Sequence, residues 1–236
     1  MARPSRLHRR RANQYVYGME TAPPGLLINE IYASIQGEST WAGRPCVFVR
    51  LTGCNLRCTY CDTEYAFYEG TRMSIDDVVD AVLRHQIDLV EITGGEPLLQ
   101  PGCPILSKRL LQKGKTVLVE TSGERPIDVL PQGVIRIMDL KCPSSGECEQ
   151  NRWENIAHLT ARDEVKFVIG DRADYDWAVH AVSHHRLSGR CTVLFSTVFG
   201  KLDPGTLTEW ILADKLDVRL QLQMHKYIWD PAARSV

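Results

Sequence analysis

The chain has 236 residues, 44% of them hydrophobic, with 28 basic and 29 acidic side chains and a formal net charge of −1. That length suits one good core or a single barrel-like domain, and the near-zero charge provides no global attraction to nucleic acid or acidic membranes. No apolar run approaches a membrane span, and eight cysteines without a secretory signal fit a reducing cytoplasm better than a disulfide framework.

Residues 1–25 differ from the rest. Arg3, Arg6, Arg9, Arg10 and Arg11 fall in a segment with no acidic residue before Glu20. Such a leader suits an organelle-targeting peptide or a nucleic-acid-binding arm. More commonly it is a disordered tail, or the product of a start codon set too far upstream. It lacks the apolar periodicity of a core element, so the predicted domain spans 26–236.

Strands are predicted at 26–35 and 46–51, both rich in apolar and β-branched residues. A helix is predicted at 74–86. Ser74 can cap it, Asp76 and Asp77 suit its first turn, and Ile75, Val78, Val79, Val82 and Leu83 form one stripe. A strand at 89–93 stops at Gly94-Gly95, and a short helix at 105–112 ends at Gly114. Strands at 116–120, 134–140 and 165–169 follow, then a helix at 174–182. A strand at 191–198, a helix at 207–216 and a strand at 218–223 complete the pattern. This alternation predicts a parallel α/β sheet or an open, partial (β/α) barrel in one domain.

Sites in such folds form beyond the carboxyl ends of the strands. Gln36-Gly37-Glu38 follows the first predicted strand, and Thr93 to Pro97 the third. Glu120 to Gly123, Asp139 and Lys141, Ser196 and Thr197, and Gln223, His225 and Lys226 close later ones. The polar groups are therefore expected at one rim.

The second strand runs into Cys54, Cys58 and Cys61, spaced C-x3-C-x2-C. Three thiolates on one tight loop can hold three corners of a cubane iron–sulfur cluster and leave the fourth iron open to a small molecule. Zinc is the main alternative; it wants a fourth ligand, and the nearest candidates, His85 and Cys103, lie far along the chain. The glycines of Gly94-Gly95-Glu96-Pro97 let backbone approach a ligand closely, and the turn's carboxylate is suited to an ammonium group.

With that turn, the cysteine run resembles the radical S-adenosylmethionine (radical SAM) enzymes, whose fold is a partial, open TIM-like barrel. Within them, five further segments resemble the 7-carboxy-7-deazaguanine synthase family. These are Asn29 to Glu38, Phe48 to Cys54, Cys61-Asp62-Thr63, Thr93 to Pro97 and Leu222 to Tyr227. The likeness runs from about Asn29 to Trp229.

The resemblance implies a lyase that converts 6-carboxy-5,6,7,8-tetrahydropterin to 7-carboxy-7-deazaguanine and ammonia, in queuosine and 7-deazapurine biosynthesis. It implies a [4Fe–4S] cluster on Cys54, Cys58 and Cys61, S-adenosylmethionine on the open iron, and cleavage of that cofactor to a 5′-deoxyadenosyl radical. It implies Mg2+ on Thr63, supported by Asp62, whose plainer reading is a helix cap. Substrate contacts are implied for Ile35, Gln36, Gly37, Glu38, Arg50, Thr93 and His225. Arg50 would fork onto the pterin carboxylate; a surface arginine is its alternative. For His225 the alternative is a buried structural histidine. S-adenosylmethionine contacts are implied for Tyr60, Gly95, Glu120, Ser122, Asp139, Leu140, Lys141 and Ser196. A homodimer and an electron donor such as flavodoxin are expected; membrane and nucleic acid are not.

Two departures stand out. Asp139-Leu140-Lys141 replaces the Ser-Pro-Lys of many relatives. Five residues follow Pro231, so a substrate contact by a terminal carboxylate is not carried over. Two rivals stay open on residues alone: a glycyl-radical activase with a protein partner, and a non-enzymatic iron–sulfur sensor or electron carrier.

Overall fold

The computed structural model describes residues 25–236; the predicted leader, Gly25 apart, lies outside the described residues. The strands are β1 (Leu26–Ile35), β2 (Pro45–Leu51), β3 (Thr71–Met73), β4 (Leu89–Gly94), β5 (Thr116–Thr121), β6 (Ile135–Asp139), β7 (Glu164–Ile169), β8 (Thr192–Thr197) and β9 (Arg219–Gln221). The helices are α1 (Ile75–Arg84), α2 (Gly102–Gln112), α3 (Arg172–His185), α4 (Pro204–Ala213) and α5 (His225–Ile228). All nine strands join one sheet in the order β3-β1-β2-β4-β5-β6-β7-β8-β9. The sheet keeps two edges, so the barrel is open.

The local rules hold where the sequence is most regular. The Ser74 hydroxyl accepts from the Asp77 N–H at 3.1 Å and starts α1, with Asp76 and Asp77 against the positive end of its dipole. Asp171 caps α3 and Asp203 caps α4, where Pro204 occupies the first turn. Between β2 and β9 each neighbouring pair is parallel. Crossovers through helices or irregular segments return the chain to the starting end, as parallel pairing requires.

Three points differ from the prediction. β1 is antiparallel to β2, with Ile35 opposite Pro45, so the chain leaves β1 at the amino ends of the parallel strands. Gln36-Gly37-Glu38 therefore enters from the end opposite the cysteine loop, not at a shared rim. β3, three residues on the outer side of β1, carries too little pattern to be read alone. Finally, His225 and Lys226 lie on the short helix α5 instead of ending a strand.

Period-two alternation sorts the side chains into two layers. Val47, Val49, Val90, Ile92, Val117 and Val119 pack outward against α1 and α2 residues. Val165, Phe167, Val193 and Phe195 pack against α3 and α4 residues. The residues between them face inward. At the amino end these are Cys46, Phe48, Leu89, Leu118, Ile135 and Ile137, which form an apolar plug. One step along each strand they turn polar: Arg50, Glu91 and Thr93, Glu120, Asp139 and Lys166 all line one cavity.

Phe195 is fully buried, edge-on to Phe167 at 5.5 Å and to Tyr175 at 6.0 Å between ring centroids. Phe195→Ala is expected to cost about 3–5 kcal/mol through the cavity it leaves. The check is a lower urea midpoint at unchanged slope.

Candidate active site

A cavity of ≈ 690 Å³ opens inside the barrel above the apolar plug. Its wall includes Cys54, Cys58 and Cys61, the segment Ile35–Ser39, Arg50, Asp62, Thr63, Thr93, Gly95, Glu120, Asp139, Lys141, Lys166 and His225. A second depression, ≈ 440 Å³, lies by Ser188–Val193 and Asp217–Arg219 at the opposite end and gathers no comparable set of groups. The larger cavity is the candidate site.

The cysteine loop is held by close backbone packing. Gly95 N donates to Leu51 O at 3.3 Å and Glu96 N to Gly53 O at 2.8 Å. A Cβ on Gly95 would stand 2.3 Å from Gly53 O and 2.6 Å from Cys54 Cβ, so only glycine lets the turn lie on the loop. Gly94, at φ +156°, meets Leu51 just as closely. The expectation that the turn's carboxylate faces a ligand is not met. Glu96 is fully buried and accepts from Leu98 N, Thr121 Oγ1, Ser122 N and Ser122 Oγ at 2.7–2.9 Å. It ties β4 to the end of β5.

The three thiols are partly buried, and none of the eight cysteines is in a disulfide. Burial pushes all three thiols up, with the Lys141 ammonium among the groups opposing it. Among the described residues, no three His, Cys, Asp or Glu side chains converge as ligands of a single ion do.

Opposite the loop, the cavity floor comes from the chain leaving β1. Gln36 Oε1 accepts from Glu38 N at 3.0 Å, and its Nε2 donates to Glu91, which fixes the amide's orientation. Glu38 accepts from Gln221 and Gln223 at 2.9 Å each and pairs with Lys166 at 2.8 Å. Gly37 lies under His225, whose Nδ1 would be 2.3 Å from a Cβ there, and Met224 N donates to Gly37 O at 2.9 Å. Burial pushes the His225 imidazole down, toward its neutral form.

Arg50 is nearly buried, not a surface arginine. Its Nε donates to Glu30 at 2.7 Å and one terminal nitrogen to the Tyr32 hydroxyl at 3.2 Å. Tyr65 and Ser235 also donate to Glu30, at 3.1 and 2.6 Å. Thr63 precedes a short 3-10 turn, Glu64–Phe67, but its side chain makes no capping bond; its hydroxyl donates to Asp62 at 3.0 Å. Asp62 is half exposed at the cavity mouth. Burial would raise its carboxyl, but the Lys226 ammonium at 2.7 Å with the Thr63 and Gln223 hydrogen bonds holds it well below the usual range.

Of the predicted cofactor contacts, Tyr60, Gly95, Glu120, Ser122, Asp139 and Lys141 line the cavity. Leu140 and Ser196 do not. Leu140 faces the outer core beside Met138 and Phe167, and Ser196 is sealed within the sheet, while Thr197, Val198 and Phe199 reach the wall instead. Glu30, Glu91, Lys166, Gln221 and the C-terminal residues 231–236 were not anticipated around the site. A single charge in an apolar run, Val-Glu-Ile at 90–92 and Val-Lys-Phe at 165–167, is the signal that marks two of them.

The Radical SAM superfamily model matches residues 48–209. A 7-carboxy-7-deazaguanine synthase of Koribacter versatilis is 49% identical over 89% of this chain and 99% of its own. The chain belongs to the 7-carboxy-7-deazaguanine synthases. A synthase of Chlorobaculum tepidum is 48% identical over 92% of this chain and all of its own. The crystal structure of QueE from Escherichia coli shares the fold, with a TM-score of 0.70 at 21% identity over 85% of this chain and 95% of that one.

Radical SAM enzymes work with a [4Fe–4S] cluster and S-adenosylmethionine, and the residues of this synthase fit both. Three unpaired thiols share one loop on the cavity wall. The glycine turn beside them presents backbone with no side chain in the way. Asp139 Oδ1 is buried without a hydrogen-bond partner, its ion pair with Lys166 Nζ being 3.5 Å long. Cys58→Ala is expected to lose the reconstituted four-iron cluster. Cys103→Ala, a change in the outer core, is expected to retain it; iron and sulfide content with the visible spectrum provide the check.

Proposed function

We propose that the cavity takes 6-carboxy-5,6,7,8-tetrahydropterin and that the chain catalyses its conversion to 7-carboxy-7-deazaguanine with release of ammonia, as a radical SAM lyase. The observation that carries this reading is one cavity inside the barrel with a cysteine loop on one side and hydrogen-bonding groups for a small heterocycle on the other. When bound, the cluster and S-adenosylmethionine supply a carbon radical able to take hydrogen from an unactivated position. The chain's own residues bind, orient and exclude water.

Arg50 suits the substrate carboxylate. Glu30 takes its Nε, which leaves the far edge of the guanidinium with only the Tyr32 hydroxyl. Glu38 and Gln36 suit the donor-rich edge of the pterin, with Thr93, the Ile35 and Gly37 segment, and His225 around the ring. Tyr60, Gly95, Glu120, Ser122, Asp139 and Lys141 suit S-adenosylmethionine. A cavity of ≈ 690 Å³ inside the barrel, lined by hydrogen-bonding groups, favours a small molecule over the protein partner of an activase.

We also assign Mg2+ to the Asp62–Thr63 corner. Thr63 would give its hydroxyl oxygen to the ion while Asp62, which accepts from that hydroxyl, supports it, and the ion would keep waters and share substrate oxygens. A flavodoxin-like electron donor, a homodimer, a cytoplasmic setting and a single catalytic unit at 26–236 complete the reading. Among the described residues, no helix is long and apolar enough to cross a membrane.

The test is anaerobic incubation of reconstituted protein with the pterin, S-adenosylmethionine and a reductant. Mass spectrometry should detect 7-carboxy-7-deazaguanine; spectral perturbation by S-adenosylmethionine without product would leave a radical SAM enzyme of another substrate. For the metal, wild-type turnover is expected to fall on chelation and recover with Mg2+. Thr63→Val, nearly isosteric, is expected to keep the cluster and lose most of that response. An equal response in both proteins would return Asp62–Thr63 to a structural role.

A further inference from the structure

We propose that Lys166 is a positioning residue: its ammonium clamps Glu38 to Glu120 and so sets the pair of carboxylates against which the substrate docks. The proposal rests on the substrate reading above and adds to it a residue outside the resemblance.

Lys166 lies at the middle of β7, between Val165 and Phe167, which both face the outer core. Alternation turns it inward, where its side chain is 7% exposed. Its Nζ is 2.8 Å from Glu38, in contact with Glu120, and 3.5 Å from Asp139. These three carboxylates come from three places: the segment after β1, the inner face of β5 and the end of β6. One ammonium thus joins the segment entering at the amino ends to the strands that carry the cofactor side.

The other charges around it make this cation necessary. Glu91 on β4 is buried next to Glu120, Lys166 and Glu38, and burial holds its carboxyl well above the usual range, which favours its uncharged form. Lys141 is engaged with Asp139 at 2.6 Å. Glu164, at the start of β7, accepts from Thr40. His225 on α5 is pushed toward neutrality, and Asp62 is paired with Lys226. Among the described residues, Lys166 is the cation paired with both Glu38 and Glu120. Burial would raise the Glu38 carboxyl, but Lys166 and the Gln223 hydrogen bond together hold it below the usual range.

The segment is anchored without Lys166. Gln36 donates to Glu91, Ser39 N donates to Gln221 at 2.6 Å, and Thr40 N donates to Glu164. Removing the ammonium should therefore leave the Glu38 side chain held by Gln221 and Gln223 alone, with no charge opposite it and its backbone in place. An opposite charge at this range lowers a carboxylate pKa by about 1–3 units, and Glu38 should recover that much when the charge goes.

The experiment compares wild type, Lys166→Met and Lys166→Arg. In the reconstituted enzyme, Lys166→Met is expected to raise KM more than it lowers kcat. The acid limb of its kcat/KM profile should move up by about 1 pH unit or more. Lys166→Arg, which keeps the charge, should return that limb toward wild type. The second readout needs no turnover. In substrate-free protein with 13C-labelled glutamate carboxyls, the Glu38 resonance is identified by its loss in Glu38→Gln. It is expected to titrate below the ordinary value of about 4.3 in wild type and at least about 1 unit higher in Lys166→Met. A Glu38 resonance at or above the ordinary value in wild type, or one unmoved in folded Lys166→Met, would overturn the clamp. Absence of deazaguanine product from wild type would instead overturn the substrate reading, and the titration would still decide the clamp.

Discussion

Carboxylates crowded into a space with little water are tolerable only where cations stand between them. Inside this barrel that condition organises nearly everything above the apolar plug. Glu38, Glu120 and Asp139 share Lys166, Asp139 also holds Lys141, and Glu30 holds Arg50. Glu91 has no ion pair among the described residues; burial pushes its carboxyl up, toward the neutral form, and it accepts a hydrogen bond from Gln36. The strands thereby bring three carboxylates into the interior against two ammoniums, with Glu30 and Arg50 paired separately.

The open sheet makes that arrangement useful. Antiparallel β1 delivers its chain to the amino ends of the parallel strands, while β2 delivers the cysteine loop to their carboxyl ends. The segment after β1 then reaches into the barrel and meets Gln221, Gln223 and His225 from the far edge of the sheet. The cavity is consequently bounded by elements from both ends of the sequence. Small residues permit the contacts: Gly37 under His225 and Gly95 against the cysteine loop each stand where any Cβ would collide.

Glu96 illustrates how a motif residue can be recognised while its local task is misread. A carboxylate in a glycine turn near a cofactor invites the role of ligand. Here its oxygens are consumed by backbone and hydroxyl donors at the end of β5, and the turn is rigid because of it. The Thr63 hydroxyl points the other way. The expected cap does not form, and the side chain stays beside Asp62 on the cavity wall.

The sequence alone determined the features that depend on near neighbours. The spacing of Cys54, Cys58 and Cys61, the Ser74 cap and apolar stripe of α1, and the limits of β1 all follow from residues a few positions apart. Arg50 was legible as an inward charge because it sits alone in an apolar strand. Glu91 and Lys166 carry the same mark, one charge flanked by outward-facing apolar residues, and period two alone predicts which face they take. What they meet there was decided only by the tertiary structure. The direction of β1, the entry of Gln36–Glu38 from the opposite end, the burial of Leu140 and Ser196, and the meeting of Lys166 with Glu38, 128 positions away, depend on how nine strands are ordered. Strand order is set by long-range packing and charge compensation, which local pattern does not encode.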